Sequence, residues 1–379
     1  MSARRWATLA FAVGVVIVVA CGGGGPSLDP GRGLLGGTDT DKKSVNLFDV
    51  HFDTFDGRSV PLSEITEAEI VALRDRIPPI DAPLYEPAAA GDWLAPDDLV
   101  LGYVADDGQA YAYPTKIMNF HEIVNDELAG RPVLVSYCPL CRSGVVYDRH
   151  LDGQLLTFGN TSALFQSDLV MYDRETISFW FQVGGEAIVG ELTGARLTAL
   201  PSITTGWQAW RELHPETLVL SRETGFVRNY DRDPFIGLED TINQGIFPFP
   251  VTDAALDDQL EPAALVLGVE LGDEARAYSL EEPEDAVIED ELDGEAIVVF
   301  RRAEGPVAVA FRPEAGGQEL SFELRDGRFV DRETESEWSL TGEAIAGPLA
   351  GERLAPLPAR TTFWFAYVAA FPDATVYRP

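Results

Sequence analysis

The sequence predicts a mainly β fold with a few short helices (α+β), arranged as two tandem homologous β-rich domains behind a lipoprotein signal and a Gly-rich tether. Three observations carry this reading. The chain has 379 residues, more than one ordinary core supports, so two domains of roughly 100–200 residues each are expected. Segments such as PVLVSY, VVYDR, QLLTF and AIVVF are short, rich in β-branched and aromatic residues, and bounded by Gly or Asp turns. The third observation is internal similarity. Asp173–Leu220 recurs as Asp331–Tyr377, VNDELAGRPVLV (Val124–Val135) matches IEDELDGEAIVV (Ile288–Val299), and LVLGYVADDGQAYAYP matches LVLGVELGDEARAYSL. A fixed self-similarity of this kind reads as a duplication, with copies at roughly 75–225 and 245–379.

Taken in order, residues 1–21 carry Arg4 and Arg5, then an apolar run ending in Val18-Val19-Ala20-Cys21. A charged start and a short apolar run ending in a small residue form an export signal. The Cys that follows directly makes the tetrad a lipobox, with Cys21 lipidated at the mature N-terminus; the alternative is an uncleaved membrane anchor. Either way the chain is expected outside the cytoplasm, at the cell membrane or outer membrane, periplasmic or on the cell surface. Residues 22–45 are Gly-rich and polar, without periodicity, and read as a flexible tether. The first domain is expected over 46–230 and a degenerate second copy over 231–379. SEITEAEIVALRDR (Ser63–Arg76) predicts a helix with a Ser-led cap, and TTGWQAWRELHP a shorter one. VVYDRHLDGQLLTF predicts a hairpin around His150-Leu151-Asp152-Gly153.

Charge narrows the partners. With 28 Lys plus Arg against 62 Asp plus Glu, the formal net charge is −34, so a nucleic acid is an unsuitable partner: phosphate backbones require the opposite sign. Membrane contact is expected through the lipid at Cys21 alone. There is no Gly-rich phosphate loop, Gly-x-Ser-x-Gly elbow or dinucleotide fingerprint, so no common catalytic class is signalled.

Cys138 and Cys141, in VLVSYCPLCRSG, are the only cysteines besides Cys21. Comparing the copies shows what chemistry the first holds alone. Cys138 falls opposite Arg302, the Cys141 region opposite Gly305, His121 opposite Asp285 and His214 opposite Phe371. Asp173, Arg174, Trp180 and Trp207 belong to the shared pattern and read as scaffold. The functional candidates are therefore His121, Cys138, Cys141, His214 and the insert FGNTSALFQSDLVMY (Phe158–Tyr172), which the second copy shortens. Met118 and Met171 read as core fillers.

Three readings follow. In the first, Cys138 and Cys141 form a knuckle completed by His121 and His214 around zinc, copper or iron; if the shell is open, with Ser167 or Asp168 nearby, the site can activate water or bind a substrate. In the second, Cys138 attacks and Cys141 resolves in thiol–disulfide exchange, with His121 as the base. Against a glutaredoxin-like site stands the missing helix after the pair, since a helix N-terminus is what lowers the first thiol's pKa. The third is a structural or partner-binding module with a static bridge, which would close a very short loop and stabilise little.

The strings IPPIDAPLY, HEIVNDE, YCPLC, SDLVMYDRET and HPETLVL together resemble DUF3179, a family of uncharacterised secreted bacterial and archaeal proteins. The resemblance covers Ile77–Leu220, and in the second copy only its latter half. It implies a domain type and no reaction. The chain departs from the family pattern at Arg142, where Gly is usual, and at FGNTS, where FGVSG is usual.

Overall fold

The computed structural model describes residues 33–378; the signal segment, Cys21 and the tether up to residue 32 lie outside them. Residues 33–378 fold as one compact unit dominated by strands, with five short α-helices. Among the described residues no helix is long and apolar enough to cross a membrane. Residues 33–45, expected as tether, carry a small hairpin, Leu34–Leu35 on Thr38–Asp39. It is held because Thr38 Oγ1 donates to Ile177 O and Ser44 N to Ile188 O.

The two halves of the chain pair their strands in the same pattern. In the first half Leu99–Val104 lies between Ala110–Pro114 and Ser202–Gly206, and Leu218–Leu220 runs parallel to Ala110–Pro114. In the second, Leu265–Leu271 lies between Glu274–Ser279 and Ala359–Phe363, and Thr375–Val376 runs parallel to Glu274–Ser279. A seven-residue helix follows the closing strand each time, Trp207–Leu213 and Trp364–Ala370. Each helix sends one ring flat onto a strand glycine. A Cβ on Gly102 would lie 2.3 Å from Trp210, and one on Gly268 would lie 2.0 Å from Tyr367, so the shared Leu-Val-Leu-Gly string is a packing requirement.

The halves also share a sheet. Ala359–Phe363 pairs with Leu265–Leu271 on one side and meets Ser143–Asp148 on the other, through Gly144 and Thr361. Beyond Ser143–Asp148 come Arg131–Cys138 and Ile123–Leu128. A second sheet runs through Glu186–Val189, Phe179–Phe181, Asp168–Asp173, Phe158–Phe165, Val50–Asp53 and Ser59–Pro61. Both sheets contribute to one apolar core, which also holds Cys138, Cys141 and Met171; Met118 is buried in a neighbouring core.

Local elements follow local chemistry. The first helix spans Glu67–Leu73, inside Ser63–Arg76, but its cap is Thr66 and not Ser63. Thr66 has Glu69 three residues on, so side chain and backbone satisfy each other reciprocally in a capping box; Ser63 has only Thr66 at that distance. The predicted hairpin forms with His150–Leu151 on Gln154–Leu155, and Asp152 and Gly153 both take positive φ, as a two-residue primed turn demands.

Candidate metal centre

The two thiols stand at a hairpin tip. Arg131–Cys138 and Ser143–Asp148 are antiparallel with Cys138 opposite Ser143, leaving Pro139 to Arg142 as the loop. Arg142 adopts φ 50°, in the left-handed region that favours glycine. It is held by Glu239 at 3.3 Å and by the Phe363 ring below its guanidinium. The Cys141 carbonyl accepts from Phe363 N at 2.9 Å and Thr362 Oγ1 at 3.0 Å. Cys138 and Cys141 are free, and both are buried.

The second sheet brings a carboxylate to them. Phe158–Phe165 turns into Asp168–Asp173 through Gln166 and Ser167, both left-handed, at φ 53° and 60°. A primed turn normally takes Asn or Gly there, and each L side chain costs roughly 1–2 kcal/mol. The 249–252 segment holds it: Thr252 N donates to Gln166 Oε1, Gln166 Nε2 to Thr252 Oγ1, and Phe249 N to Ser167 Oγ. The turn delivers Asp168, fully buried, with Oδ2 fixed by Val183 N at 2.9 Å. Oδ1 accepts from Cys141 Sγ at 2.8 Å and from Ser143 Oγ at 3.4 Å. Ligand atoms of Cys138, Cys141 and Asp168 lie within 4.8 Å of one another. Ser143 and Ser136 are tied together through Gln182, which donates Nε2 to Ser136 Oγ at 2.8 Å.

The electrostatics are those of acids taken out of water. Burial pushes the Cys138 thiol up to about 11, with Asp168 and Glu122 adding to the effect. Burial also raises Cys141 well above its ordinary range, and its bond to Cys138 and the Asp168 charge act in the same direction. Asp168 rises to about 6 through burial, moderated by its hydrogen bonds to Cys141 and to Val183 N. Without a cation, the pocket favours protons on all of them.

Glu122 belongs to the same surroundings. It ends the Thr115–His121 helix in a left-handed conformation, φ 59°, and is buried. Asn160 Nδ2 donates to its Oε2 at 2.6 Å. Burial raises it to about 8, opposed by the Asn160 bond and reinforced by the Asp168 charge. With Asn160, Leu140 and Leu169 it bounds a cavity of about 180 Å³. In metal-free protein held in chelator, stability is expected to fall as pH rises from about 4.5 to about 8: the unfolded chain releases this proton first, and the folded one releases it only near 8. Asp168 contributes a similar slope between about 3.8 and 6. Glu122→Gln keeps the Asn160 acceptor, so the upper part of the slope should flatten and the variant should be the more stable protein at pH 8. Thermal unfolding across pH 4–9 checks this, and parallel curves for the two proteins would contradict it.

The histidines lie elsewhere. His121 is buried with both ring nitrogens engaged: Nδ1–H donates to Pro78 O at 2.7 Å, so Nε2 accepts from Tyr230 OH at 2.7 Å. Burial lowers its pKa and keeps it neutral. It fastens the helix end from which Glu122 projects, and is neither the expected ligand nor the expected base. His214 caps the Trp207–Leu213 helix and packs on Trp210 at 4.2 Å between ring centres. It lines a different cavity, bounded in part by Ala308–Phe311. The reason is topological: a ligand 73 residues past Cys141 reaches it only if its element does, and this helix packs on the Leu99–Val104 strand. Asp168, named in the sequence only as a neighbour of an open shell, lies beside the thiols where the histidines were expected. Glu122 was missed, although the copy comparison signals it: on the register of Val124 with Ile288, it falls opposite Ala286.

A model of a family described as "Protein of unknown function (DUF3179)" matches residues 74–374. The chain belongs to DUF3179. The match runs well past Ile77–Leu220 and takes in both halves described above except the Thr375–Val376 strand. No curated protein and no solved structure matches the chain.

Proposed function

We propose that this DUF3179 protein holds one transition-metal ion between Cys138, Cys141 and Asp168. The observation that carries the reading is the convergence of two thiols and a carboxylate within 4.8 Å in a buried site on two different sheets. Three groups that shed protons with difficulty in the absence of a cation become ligands in its presence, because a divalent charge reverses the local electrostatics. Two sulfurs and one oxygen suit zinc or iron, with copper third, since a carboxylate is a poor partner for cuprous ion. The Ser143 hydroxyl, beside two of the three, or water is available for a fourth position. Gln182 and Ser136 would orient that shell from behind. In the same proposal the chain is anchored outside the cytoplasm by lipid at Cys21; recovery of the full chain from membranes only with detergent, lost in Cys21→Ser, is the check.

The deciding experiment is metal content per chain of the form starting after Cys21, purified without chelator or affinity metal, beside Cys138→Ser/Cys141→Ser. About one equivalent of zinc, iron or copper, lost in the double variant, is expected. No metal before or after reduction and reconstitution would sink the proposal.

The bond from Cys141 Sγ to Asp168 favours one second reading, thiol–disulfide exchange with Asp168, not His121, as the base. A partner disulfide would take the two electrons and the Cys138–Cys141 bond would form. A reversible potential for the pair in metal-free protein, displaced by Asp168→Asn, would support it.

A further inference from the structure

The cavity of about 180 Å³ beside Glu122 lies against the thiol loop, since Leu140, between the two cysteines, and Leu169, next to Asp168, are in its wall. Three rings stand around it. Phe55 comes from the turn joining Val50–Asp53 to Ser59–Pro61, and Phe235 and Phe249 from the connection between the two halves. Phe235 N donates to Asp233 Oδ1 at 2.9 Å and Phe249 N to Ser167 Oγ at 3.2 Å, which fixes the last two. The volume exceeds the roughly 150 Å³ that holds benzene in an engineered protein cavity, so a six-membered ring with one substituent fits.

Glu122 is 8% exposed, and its two oxygens are unequally served. Oε2 accepts from Asn160 Nδ2 at 2.6 Å; Oε1 has no partner among the described residues and is not sealed, so it opens on the cavity that Glu122 lines. No cation answers it. Burial raises its pKa to about 8 against the Asn160 bond, and the charge that bears on it, Asp168, has the same sign. Asp53, also in the wall, adds a second carboxylate, and the nearby Arg58 pairs with Asp56 and Glu69 instead. Arg76 stands over the Phe55 ring, 4.8 Å from its centre; among the described residues no cation covers Phe235 or Phe249.

We propose that this cavity binds a small organic ammonium ion, whose charged nitrogen meets Glu122 Oε1 and whose apolar body lies among Phe235, Phe249 and Leu169. Such an ion supplies the missing positive charge, donates to the open oxygen and is attracted to the ring faces. A calcium ion suits the wall less. It takes about six to eight oxygen ligands, whereas the Asn160 amide and the Ser162 hydroxyl already donate to Glu122 and to Leu73 O, and most of the wall is carbon. The inference does not rest on metal at the thiols.

The test titrates the full chain at pH 9, in chelator and reductant, with cyclohexylammonium, cyclohexanol and cyclohexanecarboxylate by calorimetry. At that pH most of Glu122 is ionised, and a primary ammonium keeps its proton as a Lys side chain does. Saturable cyclohexylammonium binding at least about tenfold tighter than cyclohexanol, as one charge-assisted hydrogen bond provides, is expected, with the carboxylate weakest. Glu122→Gln keeps the Asn160 acceptor; it should bring the ammonium down to the level of the alcohol and leave the alcohol unchanged. Phe249→Ala should weaken both by removing part of the wall, and thermal unfolding establishes that each variant is folded. No saturable ammonium binding, equal binding of the alcohol, or an ammonium affinity unchanged in folded Glu122→Gln or Phe249→Ala would each overturn the proposal. Calcium that displaced the ammonium at lower concentration, titrated without chelator, would overturn the assignment to an organic ion.

Discussion

Asp168→Asn is expected to lower metal affinity at least about 100-fold, because loss of an outer-shell partner alone commonly costs 10–100-fold and Asp168 would be a direct ligand. The amide keeps the size of the carboxylate and can still accept from Val183 N, so the fold should survive with little change in melting temperature. Competition against a chromophoric chelator reads the affinity, and thermal unfolding in chelator reads the fold. Unchanged affinity in a folded variant would remove Asp168 from the shell. The variant also separates the two readings of the site, since in thiol exchange it would shift a potential and leave no metal to lose.

Asp173→Ala is expected to destabilise the protein by about 4 kcal/mol, at the upper end of single-site effects. Its carboxylate is fully buried and receives Thr176 N at 2.5 Å, Thr176 Oγ1 at 2.8 Å, Ser178 N at 3.2 Å and Trp180 Nε1 at 2.9 Å. Removal strands several buried donors at once. It also releases a turn in which Ile177, a β-branched residue, is held at φ 57°. Asp331 makes the corresponding bonds to Thr334, Ser336 and Trp338, with Glu335 at φ 59°. Asp331→Ala should therefore cost a similar amount. Denaturant unfolding of both variants checks the pair, and a loss below about 1 kcal/mol in either would show that the turn stands without its carboxylate.

What the sequence made legible followed from short-range chemistry. The strands were visible because β-branched runs end at Gly and Asp, and the hairpin at Asp152-Gly153 because two positive φ values select those residues. Asp173 and Trp180 were readable as scaffold because the second half repeats them. The Thr115–His121 helix was not read: it is short and has no side-chain N-cap, and, unlike Trp207–Leu213, it has no counterpart in the second half, where no helix lies between Glu274–Ser279 and Ala286–Leu292. The thiols were found by their spacing, but Asp168 entered only as a neighbour of an open shell, since nothing local links residue 168 to residues 138 and 141. That link exists only through the strained Gln166-Ser167 turn and the packing of one sheet on another. The histidines drew attention by residue type, and type does not report where an element packs.

The carbonyl of Cys141 has both its partners, Thr362 and Phe363, some 221 residues downstream. In a growing chain the thiol loop therefore stays without these two bonds until residues 362 and 363 have been made. Contacts of such long sequence separation form slowly, because loop closure precedes any reward. The hairpin tip is thus completed only after the strand that carries Thr361 has been made and has folded back beside Gly144.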